Sequence, residues 1–113
     1  MNTVTIGVAS LSDMQLRVAA AFKGKKQGAR ISFASEELLW KTLTVKRWNL
    51  LKLMTGQQAM PIRELARRCE RDVRAVHSDV QLLLKAGVLD KSDDGRVIFP
   101  YDAIHVDFVL RAA

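Results

Sequence analysis

Residues 61–89 read PIRELARRCERDVRAVHSDVQLLLKAGVL, and the spacing of apolar side chains in this stretch decides the fold. Ile62, Leu65, Ala66 and Cys69 stand at i, i+3, i+4 and i+7, which is one face of a short helix. Glu70, Arg71 and Asp72 then interrupt the pattern, and Asp72 can cap a second helix by accepting a hydrogen bond from a first-turn N–H. Val73, Val76, Val80, Leu83 and Leu84 make the next apolar stripe, which at about 100° per residue leaves Arg74, Ser78, Gln81 and Lys85 on the far side. Two short helices joined by so tight a turn predict a helix-turn-helix.

Any two amphipathic helices of a small helical core would carry such stripes. The outward row separates the two readings. It holds a guanidinium, a hydroxyl, an amide and an ammonium, the groups that read base edges and phosphates, where Glu and Lys pairs would signal mere solvation. Arg63 and Arg67 on the first helix and Arg71 at the turn extend the set of candidate DNA contacts. His77, at the edge of the apolar stripe beside Leu84, is placed either for packing or for a base contact. Residues 88–91 and 96–99 are strand candidates around Ser92, Asp93, Asp94 and Gly95, a hairpin signal. Helix, turn, helix, hairpin is the winged-helix order. Within the wing, Asp90, Asp93 and Asp94 oppose deep insertion into DNA and leave Arg96 as its one good phosphate ligand.

The chain has 113 residues, 49% of them hydrophobic, enough for one compact domain with an appended element. No run of about 18 apolar residues and no basic, apolar leader is present, so a cytoplasmic, nucleoid-associated protein with no membrane contact is expected. A single cysteine excludes an internal disulfide, and Cys69 on its apolar face reads as a small buried hydrophobe. The net charge of +6 is unevenly placed. Residues 1–40 carry 5 basic and 3 acidic side chains, residues 41–87 carry 10 and 4, and residues 88–113 carry 3 and 5. Basic charge concentrated in the helical segment is the footprint of a phosphate-binding face.

Taken in order, Val4, Ile6 and Val8 alternate with small or polar residues and predict a strand. Ser12 then opens a helix to about Phe22, with Gln15 placed for a capping box and Leu11 and Leu16 for a hydrophobic staple. Residues 23–28 form a basic, glycine-containing loop that fits no phosphate-loop pattern. Ile31 and Phe33 mark a second strand. Two strands and one helix bury little alone, so this unit must pack on the helical segment, on a second copy or on another protein. Ser35 caps the next helix, with Leu38, Leu39 and Leu43 inward and Trp40 as core filler. Thr44 caps a further helix over residues 45–55 that ends at Gly56, its broad apolar face made by Val45, Trp48, Leu50, Leu51 and Met54. After the hairpin, Ile104, Val106, Phe108 and Leu110 alternate with His105, Asp107, Val109 and Arg111 as a terminal strand. The expected fold class is α+β: a strand-helix-strand unit over 1–34, serving dimer or partner contact, and a winged helix-turn-helix with a C-terminal strand over 35–113.

Four stretches, LTVKRWNLLKLM, IRELARRCERDVRAVHSDVQLLLKAGVL, PYDAIHVDF and SFASEELLWK, carry a likeness to known proteins. In them the chain resembles small prokaryotic winged-helix proteins described as DNA-binding proteins or as antitoxins of transposon-borne toxin-antitoxin pairs. The resemblance implies a repressor that binds its own promoter as double-stranded DNA and neutralises a cognate toxin protein. Glu70 stands where that family often has glycine at the turn, and Pro61 where a capping Ser or Thr is common.

No enzyme is expected, and no cofactor or metal. His77 and His105 are the only histidines, they lie in different elements, and with one cysteine they make no metal set or Cys/His dyad. Two functional classes remain. One is a homodimeric, sequence-specific transcription regulator reading inverted half-sites with Arg74, Ser78 and Gln81, while Arg71, Lys85 and Arg96 hold phosphates. The other is a protein-interaction module that acts mainly by covering a toxin, with DNA binding incidental.

Overall fold

Ser35, Thr44 and Asp72 mark where three helices begin, and each does so with its side-chain oxygen. Leu38 N–H donates to Ser35 Oγ at 3.1 Å, Arg47 N–H to Thr44 Oγ1 at 3.4 Å, and Arg74 and Ala75 N–H to Asp72 Oδ2 at 3.1 and 3.4 Å. These bonds satisfy first-turn donors that have no partner inside a helix. The computed structural model in which they are seen describes residues 2–8 and 29–108. Along them run β1 (Thr3–Val8), β2 (Arg30–Phe33), α1 (Glu36–Thr42), α2 (Val45–Met54), α3 (Ile62–Cys69), α4 (Val73–Lys85), β3 (Asp90–Lys91), β4 (Val97–Ile98) and β5 (Ala103–Asp107). The class is α+β. The helix expected over 12–22, the basic loop at 23–28 and the end of the last strand beyond Phe108 lie outside the described residues.

The larger sheet has the order β2-β1-β5 with all pairs parallel. The strand expected to close the second part of the chain therefore lies against the first strand, with Val4 opposite Ile104 and Ile6 opposite Val106. Asn2 fixes this register from the end of the sheet: its backbone N–H donates to Asp102 Oδ2 at 3.0 Å, and its Nδ2 to Pro100 O at 2.7 Å. Asp102 N–H returns a bond to Asn2 O at 2.7 Å. A cut between residues 34 and 35 would thus cross a hydrogen-bonded sheet. One apolar cluster joins Val4, Ile6 and Phe33 of the sheet to Leu39 of α1, to its C-cap Leu43 and to the inner faces of α2, α3 and α4.

The smaller sheet is the hairpin β3–β4, with Asp90 opposite Ile98 and Lys91 opposite Val97. Met60, just before α3, exchanges both backbone bonds with Val97 at 2.9 Å, which ties the hairpin to the start of that helix. At the other end of α3 the chain turns through Glu70, the one non-glycine residue with positive φ among the described residues (φ 55°, ψ 45°). Arg71 N–H then donates back to Ala66 O at 3.1 Å. The glycine-like geometry is present without the glycine, at a cost of about 1 kcal/mol. Pro61 takes the N-cap position of α3 with no side-chain cap bond.

Four apolar residues expected inward lie elsewhere. Trp40 is 51% exposed and Leu38 45%. Helix α1 is short, its buried line is Leu39 and Leu43, and neighbours one residue away point about 100° off that line. Val45 (77% exposed) and Val73 open their helices at the rim of the core rather than over it. Trp40 instead meets Phe108 edge-on, with ring centroids 5.6 Å apart. No helix among the described residues is long and apolar enough to cross a membrane.

Gly7 lies close against the backbone of β5. A Cβ built there would stand 2.1 Å from the Asp107 carbonyl oxygen, a backbone atom that cannot rotate away. We expect Gly7→Ala to lower stability by about 1–3 kcal/mol, the usual cost of forcing extra volume into a packed site. Urea titrations of the two proteins measure it, and equal midpoints would show that the strands can part without cost.

Candidate nucleic-acid interface

The outward face of α4 follows from what its inward face must do. Val76, Val80 and Leu83 are fully buried and Leu84 is half-buried. The 3.6-residue repeat then carries Arg74, His77, Ser78, Gln81 and Lys85 to solvent along one side. All five are exposed, and among the described residues none of their side chains makes a hydrogen bond or ion pair. Of the two placements open to His77, the structure has the exposed one, beside Arg74 and Gln81 on the helix surface. Asp72, whose carboxylate caps the first turn by accepting from Arg74 and Ala75 N–H, stands at the Arg74 end of this row.

The other expected contacts are differently placed. Arg63 and Arg67 are both exposed on α3 and one helical turn apart. Arg67 is paired with Glu64, however, as is Arg68, whose Nε lies 2.9 Å from Glu64 Oε1. Hydrogen bonds from Arg67 and Arg68 hold the Glu64 carboxyl down at about 2, from an ordinary 4.5. Arg96, in the turn of the hairpin, reaches Asp94, with Nε 3.2 Å from Oδ2. The Asp94 carboxyl is lowered by a hydrogen bond from Ser92 Oγ and then by the backbone N–H of Arg96. Arg68 and Arg96 line a groove between the loop before α3 and the hairpin, together with Gln57, Gln58 and Glu64.

Arg71 departs most from the sequence expectation. It was expected to hold a phosphate; its guanidinium is instead turned inward onto Asp79 of α4, with Nη2 2.8 Å from Oδ2. Arg47 of α2 approaches the same carboxylate from the other side and donates from Nε to Oδ1 at 3.1 Å. The side chains of Arg47, Asp79 and Arg71 are 18, 14 and 22% exposed. The Arg71–Asp79 contact is close but not aligned as a hydrogen bond, and Arg71 Nη1 is buried with no partner. Arg71 is therefore held by charge and removed from the row of cations open to a ligand. Sequence reading missed both Arg47 and Asp79. The available signal was one acid on a helix whose other charged side chains are basic, but its partner lies 32 residues away and no local spacing points to it.

A family model described as HVO_A0114 matches residues 42–106, more than half of the chain, and the chain belongs to that family. The matched span takes in α2, α3, α4, the hairpin and most of β5, and leaves out β1 and β2. No curated protein and no solved structure matches.

Two outcomes follow from this electrostatic arrangement. Replacing Asp79 with Ala strands two half-buried guanidinium groups, and the expected loss is about 3 kcal/mol, the low end for breaking a buried pair because all three groups keep some solvent. Thermal unfolding of Asp79→Ala at neutral pH measures it; a melting point within a degree of wild type would refute the pairing. Glu64 predicts a pH effect of definite sign. Its folded carboxyl is depressed, so its contribution is present above about pH 4.5 and is lost as pH falls towards 2. Across that window Glu64→Gln should lose less stability than wild type, as followed by chemical denaturation at several pH values.

Proposed function

We propose that this chain is a sequence-specific DNA-binding transcription regulator in which α3, the turn at Glu70 and α4 form a helix-turn-helix, with β3–β4 as its wing. The observation that carries this reading is the unpaired polar row of Arg74, His77, Ser78, Gln81 and Lys85 on α4. Side chains left exposed and uncommitted on a helix packed on α3 and tied through Asp79 to Arg47 and Arg71 are suited to an external ligand, and their donors match base edges and phosphates. Arg74, nearest the N-terminal end, has the fork geometry for guanine O6 and N7. Ser78 and Gln81 lie where further base or phosphate contacts fall, Lys85 and Arg63 serve phosphates, and Arg67 and Arg96 would join them once released from their carboxylates. We further propose, from the resemblance in the helical and closing stretches, that the protein is the antitoxin of a toxin-antitoxin pair and represses its own promoter.

A second reading, a protein-interaction module acting by toxin sequestration, has its own observation in the exposed Trp40 beside Phe108. An exposed tryptophan is more typical of a protein interface than of a DNA-binding face.

Binding titrations on cognate and scrambled duplexes at several salt concentrations separate the two. Arg74→Ala should cost about 1–3 kcal/mol on the cognate site and relax specificity at one base pair, as a lost base contact does. Lys85→Ala should weaken all sequences alike and reduce the salt slope by about one. If both variants keep the wild-type circular dichroism spectrum and the wild-type affinity, α4 does not read DNA and the sequestration reading stands in its place.

A further inference from the structure

Among the described residues the outer side of β5 is an open sheet edge, and we propose that it pairs antiparallel with β5 of a second copy of this chain, about a two-fold axis at His105. The reasoning begins with which backbone groups are already used. Thr5 N–H donates to Ala29 O at 3.0 Å, so Thr5 faces β2. Backbone groups alternate sides along a strand, so Val4 and Ile6 face β5. In the observed register, Val4 opposite Ile104 and Ile6 opposite Val106, the groups that meet them belong to Ala103, His105 and Asp107. The N–H and C=O of Ile104 and Val106 therefore point away from β1. Among the described residues nothing pairs with them.

A second copy satisfies this pattern when His105 sits on the two-fold. Ile104 of each copy then faces Val106 of the other as a hydrogen-bonded pair, and His105 faces His105 as a non-hydrogen-bonded pair. A two-fold at His105 sets the open groups of one copy opposite those of the other, as a closed contact requires. Side chains agree with the backbone. Ile104 and Val106 share the sheet face of the buried Val4 and Ile6, so apolar meets apolar across the axis, and Asp107 meets Ala103 rather than another acid. Val106 is 44% exposed and Trp40 stands with Phe108 at the same margin, apolar surface that the second copy would cover. The strand AIHVD carries no lysine, proline or bulge of the kind that protects solitary edges. The product is a continuous sheet of order β2-β1-β5-β5-β1-β2. It does not depend on DNA binding.

Light scattering of the full chain should give about twice 12.7 kDa. Val106→Pro removes an outward N–H that the pairing with β1 does not use, so it should leave the fold intact. It should shift the dimer midpoint about tenfold or more towards monomer, two lost backbone bonds being about 1 kcal/mol each. The register is tested separately with His105→Cys in a Cys69→Ser background. Cα atoms of a non-hydrogen-bonded pair stand about 4.5 Å apart, inside the range of about 4.4–6.8 Å that a disulfide spans, so mild oxidation should link two chains. A monomeric wild type at the highest soluble concentration, or a folded Val106→Pro that dimerises like wild type, overturns the proposal. A dimer whose His105→Cys form does not cross-link overturns the two-fold at His105, and that result decides alone if Val106→Pro does not fold.

Discussion

A single carboxylate, Asp79, sets how the helices of this protein are turned. It lies on the flank of α4 with Arg47 on one side and Arg71 on the other. Arg47 also donates from Nη1 to the Lys41 and Thr42 carbonyls at 3.1 Å, the last acceptors of α1, which that helix cannot satisfy itself. Asp79 thereby connects the end of α1, the start of α2, the turn after α3 and the middle of α4. Charges this far from water persist only when paired, so α4 cannot rotate without stranding two guanidinium groups. Gln81 lies two residues on, about 200° around the helix. Anchoring Asp79 inward is the same constraint as presenting Gln81, Arg74 and Lys85 outward.

The parallel pairing of β1 with β5 makes the second connection, between segments about a hundred residues apart in the chain. Strand β1 lies between its two partners and has no free edge; among the described residues β5 has one. Two strands on their own form a layer of marginal stability at best. A third strand, with α1 over Val4, Ile6 and Phe33, extends the core of the helical part into the sheet. The close approach at Gly7 and the paired bonds between Asn2 and Asp102 fix the register from both ends of the strand.

What could be read in the sequence was local. Ser35, Thr44 and Asp72 were legible as caps because a capping oxygen acts within three residues, and α3 and α4 were legible because their apolar spacing repeats every turn. Position across the fold was not. Trp40 was expected in the core since tryptophan usually supplies bulk there, but α1 contributes only the line of Leu39 and Leu43. Arg71 was expected to face a phosphate, as a cation beside the turn would; its inward orientation depends on an aspartate in the next helix and an arginine in the one before. The terminal strand was recognisable by alternation, yet its partner was not, because alternation says which face is buried and nothing about which strand lies alongside.

The distribution of paired and unpaired cations refines what the net charge of +6 implies. Around the candidate surface, Arg67 and Arg68 share Glu64, Arg96 is drawn to Asp94, and Arg71 to Asp79. Arg63, Arg74 and Lys85 remain unpaired there among the described residues. On the DNA-binding reading proposed above, Arg63 and Lys85 of one copy neutralise about two phosphates, and about four once Arg67 and Arg96 join them, giving a salt slope of about −2 to −4. That is shallow for a regulator, since single specific sites are commonly held through more backbone contacts than this. Two copies joined through β5 would double the number, and their two-fold relation would place the two α4 helices on symmetric half-sites. Because Arg67 and Arg96 are themselves exposed, those pairs contribute little to stability and can be exchanged for phosphate at low cost, whereas the Asp79 pairs, holding the helices together, cannot.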